Sequence, residues 1–189
     1  MHDGQQQNAT APSAHEGLSD QERFSTVEAD AAWIKVGAQD APVLYMFDDL
    51  GCPFCKAAIK NLMPYIDAGR IQLRAIPLAI LGEASRGRVA AILDADNPAE
   101  LYRQTQAHDM APLENVPQRV EAILANNRAV AGTIGLRGTP TFAFAPEAGG
   151  PFVMQGVPED YERFVRLVEN GLSGRERPNA EPRAPGEIR

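Results

Sequence analysis

The sequence predicts an α/β fold in which a β-α-β unit, a run of helices and a β-β-α unit follow one another. Three observations predict it. Two apolar runs, Ala41–Phe47 and Ala75–Leu81, are too short to cross a bilayer and fit buried strands. Helical apolar spacing fills the stretch between Val89 and Val130. Two further short strands, separated by Gly149-Gly150, precede a last amphipathic stretch.

In chain order, Ser19–Ile34 reads as a short segment ending in a helix, with Trp33 and Ile34 facing the core. Pro42–Phe47 is a buried strand and Asp48-Asp49-Leu50-Gly51 a turn. A helix follows from Pro53 to about Asp67, with Gly69 to end it. Ile71–Pro77 is the next strand. Val89, Ile92 and Leu93 give one helical face, and Asn97-Pro98 starts a helix running to about Ala107. Val116, Val120, Ile123, Leu124 and Val130 give another. Pro140–Ala145 and Phe152–Gln155 form a hairpin, and Tyr161, Phe164, Val165 and Val168 mark the final helix.

The 189 residues suit one domain. Residues 1–18 are polar and Gln-rich and read as a disordered leader or linker. Residues 172–189 are rich in Pro, Gly, Arg and Glu and read as a disordered tail. The domain is expected over 19–171, with a helical insertion at about 83–130. Asn8-Ala9-Thr10 matches a glycosylation sequon by chance in a polar tail. The formal net charge of −7 argues against nucleic acid and against anionic lipid surfaces. Met1-His2-Asp3-Gly4-Gln5 lacks the basic start and apolar stretch of a signal peptide. This fits either a cytosolic protein or an exported one whose leader has been removed.

The two cysteines are Cys52 and Cys55. A bridge between them would close too small a loop to stabilise the fold much, so chemistry is the better reason for the pair. With Cys52 at the N-cap and Pro53 at the first helical position, Cys55 falls on the same helix face. Unpaired helix N–H groups, here those of Phe54 and Cys55, favour a thiolate at such a position. Cys52 is therefore the expected nucleophile and Cys55 the resolving thiol. A zinc site would need ligands from His2, His15 and His108, which the spacing does not favour. No metal and no cofactor are expected. A strand leading into a helix that opens with CxxC, followed later by β-β-α, describes a thioredoxin fold with an inserted helical subdomain. Phe54 is expected at the rim of the site against apolar substrate. Lys56 reads as a solvated charge, Asp48 and Asp49 as turn residues, and His108 as incidental.

Trp33-Ile34, Ala41–Phe47, Asp49 and Cys52-Pro53-Phe54-Cys55-Lys56 resemble the catalytic domain of the periplasmic disulfide isomerases DsbC and DsbG, DsbG more closely. So do Asp67–Arg74, Ala90–Leu93 and Gly138-Thr139-Pro140, and the likeness runs over about residues 31–170. It implies a cis bond at Thr139-Pro140 opposite the cysteines, whereas the sequence alone favours trans. It implies that Pro53, Phe54, Thr139 and Pro140 meet the substrate. It also implies a periplasmic enzyme, kept reduced by a membrane partner of the DsbD type and acting on protein disulfides or cysteine sulfenic acids. The family's isomerases carry an N-terminal dimerisation domain. Fewer than about 35 residues precede the catalytic domain in this sequence, too few for an independent module, so the V-shaped dimer is not carried over. Asp49-Leu50-Gly51 also departs from the family's Asp-Pro-Asn. Thioredoxins place a buried Asp six residues before the first cysteine. Here that position is Met46, so proton transfer is left to water or another group. A monomeric dithiol oxidase and a chaperone with an inert CxxC are the competing readings.

Overall fold

The computed structural model describes residues 17–105, 110–146 and 150–170. Residues 1–16 of the expected leader, the expected tail, His2, His15 and His108, Asn8, the last residues of the expected second inserted helix and Gly149 lie outside the described residues.

The chain runs α1 (Asp20–Asp30), β1 (Ile34–Val36), β2 (Val43–Asp49), α2 (Pro53–Asp67) and β3 (Gln72–Leu78). Then come α3 (Glu83–Leu93), α4 (Pro98–Gln104), α5 (Gln118–Thr133), β4 (Thr141–Phe144), β5 (Phe152–Gln155) and α6 (Tyr161–Glu169). The strands form one sheet in the order β1-β3-β2-β4-β5. β2 and β3 are parallel, as the crossover through α2 requires, and the other pairs are antiparallel.

Local chemistry sets the element ends. Ser19 and Glu22 form a capping box at the start of α1, and Asn97 caps α4 just before Pro98. Gly69 closes α2 at φ 71°, with its own N–H on Ile66 and that of Arg70 on Tyr65. Alternation along β2 splits the core into two layers. Leu44 and Met46 pack with Ile59 and Leu62 of α2 and with Phe164 and Val165 of α6. Tyr45 and Phe47 pack on the other side with Val27 of α1 and Val130 of α5. The N-terminal half of α5, through Val120 and Leu124, joins the α2 layer, so this helix serves both.

Three expectations are corrected. Trp33 and Ile34 do not end a helix: α1 stops at Asp30, and Ile34 belongs to an edge strand paired with Ala75 of β3. Trp33 is half-buried, with the Arg74 guanidinium 4.3 Å from its ring centre. Asp48 and Asp49 are not turn residues: pairing with Pro77 and Leu78 carries β2 through both, and both are buried. Val116 packs against the core but precedes α5.

Candidate active site

The end of β2, the start of α2 and the loop before β4 meet at one point. Cys52 is the N-cap of α2 and Pro53 its first residue. The Cys52 N–H donates to the Asp49 carbonyl at 2.8 Å, and the Lys56 N–H donates to the Cys52 carbonyl at 3.1 Å. These bonds seat the cysteine between strand and helix. The Cys52 thiol donates to the Thr139 carbonyl at 3.4 Å and makes no hydrogen bond with the helix N–H groups. The Thr139–Pro140 peptide bond is cis. Pro140 is buried, and its carbonyl accepts from the Gly156 N–H at 2.9 Å, which secures the loop to the end of β5.

Both cysteines are free thiols. Cys55 has no solvent exposure and packs in the α2 layer. Burial pushes its thiol far above the ordinary range. The neighbouring Asp48 charge adds to this, and the Asp49 backbone and Thr139 oppose it. Cys52 is buried as well but keeps 5% exposure, so it is the outer thiol of the pair and Cys55 the inner one. Pro53 and Phe54 are exposed, Phe54 at 63%. Ile80 and Leu81 are exposed as well, and Leu81 lies beside Gly51, where an added Cβ would meet its Cβ at 3.5 Å.

Two residues assigned to a turn have larger roles. Asp49 Oδ1 accepts from the Gly51 N–H at 2.8 Å and from the Ser85 hydroxyl. Its Oδ2 accepts from the N–H groups of Ile80 and Leu81, at 2.7 and 3.1 Å. The carboxylate therefore fixes the loop before Cys52 to the β3–α3 connection. Asp48 Oδ2 accepts from the Tyr102 hydroxyl at 2.7 Å. Burial raises its carboxyl to about 6, against the pull of the Tyr102 hydroxyl and the Cys55 thiol.

A thioredoxin-like domain model matches residues 29–171, which takes in every element from the end of α1 to α6. The chain belongs to the thioredoxin-like domain family. Over 134 residues it is 33% identical to a thiol:disulfide interchange protein DsbG of Pseudomonas aeruginosa, covering 68% of this chain and 52% of that protein. The likeness to DsbG expected from the motifs therefore holds, and the chain spans about half the length of that relative. The fold is that of the catalytic domain of Proteus mirabilis ScsC, at TM-score 0.65 and 20% identity over 79% of this chain and 96% of the other. It is also that of a periplasmic thioredoxin-like protein from Salmonella enterica serovar Typhimurium. There the TM-score is 0.61 and the identity 18%, over 80% and 98% of the two chains. Among the described residues, no helix of this family member is long and apolar enough to cross a membrane.

Proposed function

We propose that this chain is a thiol–disulfide oxidoreductase of the DsbG type, reducing or isomerising protein disulfides and reducing cysteine sulfenic acids. The observation that carries the reading is the placement of a free Cys52 thiol at a helix start, against the Thr139 carbonyl, with a buried Cys55 behind it. Cys52 attacks a substrate sulfur as its thiolate, which forms a mixed disulfide and expels one substrate thiolate. With a sulfenic acid the expelled group is hydroxide, which leaves as water. Cys55 then attacks Cys52, releases the substrate sulfur still bound to it as a thiolate and leaves a Cys52–Cys55 disulfide. In reduction two electrons pass from the protein to the substrate; in isomerisation another substrate thiolate attacks the substrate sulfur of the mixed disulfide, Cys52 leaves as its thiolate and no net electrons pass.

The Thr139 carbonyl lies against the Cys52 sulfur, and the Thr139 backbone is offered to an extended substrate segment, with the Pro140 ring beside it as an apolar contact. Pro53 and the exposed Phe54 ring supply an apolar rim, which suits an unfolded protein better than a small disulfide. The periplasmic origin of a structural neighbour supports a periplasmic home, with a membrane reductant of the DsbD type resetting the pair.

Cys52→Ser is expected to abolish reduction of insulin by the protein, and Cys55→Ser to accumulate the mixed disulfide. Insulin reduction at the wild-type rate by Cys52→Ser would overturn the reading. The redox state of the pair in cells separates the two directions, since a reductant is held as dithiol and an oxidase as disulfide.

A further inference from the structure

The resolving step needs a place for a proton. Cys55 is out of solvent and its thiol is held neutral by burial, and a neutral thiol is a weak nucleophile. The position used by thioredoxins for a buried acid holds Met46, which has no proton to exchange.

β2 nevertheless presents an acid on the same face. Side chains two apart along a strand point to the same side, so Asp48 shares the face of Met46, one pleat nearer the cysteines. That face is covered by α2, which carries Cys55. Asp48 is buried, and its Oδ2 is fixed by the Tyr102 hydroxyl at 2.7 Å. Its Oδ1 is buried too and has no hydrogen-bond partner of ordinary geometry among the described residues. Three groups act on this carboxyl: Tyr102 from α4, the Cys55 thiol from α2 and Asp49 beside it in β2. None of them is a cation that would hold it as a permanent carboxylate. Tyr102 is buried, and its hydroxyl is pushed well above its ordinary range by burial and by Asp48, so it stays a donor and an anchor.

We propose that Asp48 is the general base of the resolving step and that Tyr102 is the positioning residue that holds its carboxylate toward Cys55. The proposal rests on the thiol-exchange reading above. The Cys55 proton passes to Asp48 Oδ1 as the Cys55 sulfur bonds to Cys52, while the Cys52–substrate bond breaks and the electron pair leaves on the substrate thiolate. Asp48 ends protonated, the protein pair oxidised and the substrate reduced. Because transfer accompanies bond formation, no free buried Cys55 thiolate accumulates. When the pair is reduced again, the same proton returns to Cys55.

The test is rapid mixing of the reduced protein with one equivalent of dithiobis(nitrobenzoate), whose released thiolate is coloured. Attack by Cys52 gives the first release and attack by Cys55 the second. In the wild type the second phase is expected to rise with pH through an inflection near about 6, where Asp48 ionises. Asp48→Asn keeps the shape and removes the base. It is expected to slow the second phase about 100-fold at neutral pH, to lose the inflection and to leave the first phase unchanged. Tyr102→Phe keeps the base but removes a donor to its carboxylate, so the inflection should move to higher pH. That shift carries the test if Asp48→Asn does not fold. A second phase with wild-type rate and pH profile in Asp48→Asn, or an unmoved inflection in Tyr102→Phe, overturns the proposal. Absence of the first phase in the wild type would instead overturn the thiol-exchange reading beneath it.

Discussion

The Tyr102 hydroxyl, carried on the inserted helix α4, meets the Asp48 carboxyl at the end of the central strand β2 at 2.7 Å, with both side chains buried. A polar bond in that position has a thermodynamic signature of its own. Burial lifts the Asp48 carboxyl from 3.8 to about 6. Between those values the folded protein keeps a proton that the unfolded chain has lost. The stability that Asp48 contributes is therefore full below pH 3.8 and is lost as the pH rises through about 6. Two units correspond to about 3 kcal/mol. Asp48→Asn has no such titration. Its stability relative to the wild type is expected to improve by up to about 3 kcal/mol between about pH 4 and about pH 7.5, read from urea unfolding at each pH. A difference that does not change with pH would show that Asp48 is not held protonated in the fold.

Asp49 has the opposite character: it binds four donors. Asp49→Ala would leave the N–H groups of Gly51, Ile80 and Leu81 and the Ser85 hydroxyl without this acceptor. The expected loss is about 3–5 kcal/mol by chemical denaturation, since each abandoned buried or half-buried donor costs roughly 1 kcal/mol or more. Asp49→Asn keeps one acceptor oxygen and should fall between. Because the same bonds fix the loop before Cys52, thiol exchange should also slow under conditions where the variant remains folded. A loss in Asp49→Ala below about 1 kcal/mol would mean that solvent replaces the carboxylate.

What could be read beforehand divides along the range of the interactions. The start of α2, its end at Gly69, the cap at Asn97 and the β4–β5 hairpin are written in neighbouring residues, so the sequence alone located them. Three-residue β1 is not: its pairing partners Leu73, Arg74 and Ala75 belong to a strand far along the chain, and nothing local marks it. Asn127 was likewise invisible. It accepts from the Ala32 N–H and donates to the Ala32 and Pro77 carbonyls, so a polar residue in an apolar stripe joins α5 to the segment before β1 and to β3. Asp48 is legible by alternation once β2 is taken through Asp49: it then shares the face of Met46, whereas two consecutive acids before a Leu-Gly pair carry the local signature of a turn. The redox pair itself stood out because its chemistry is packed into four consecutive residues.

Phe54 offers a prediction that separates substrate contact from chemistry. Its ring is 63% exposed at the second position of α2, so it contributes little to the core. Phe54→Ala should change unfolding stability by no more than about 0.5 kcal/mol. If the ring receives apolar segments of a protein substrate, covering it is worth about 1–2 kcal/mol. The variant should then lose about tenfold in kcat/KM for insulin, chiefly through KM, while reduction of a small soluble disulfide keeps its wild-type rate. Equal losses on both substrates would place Phe54 in the geometry of the cysteine pair and remove it from the rim.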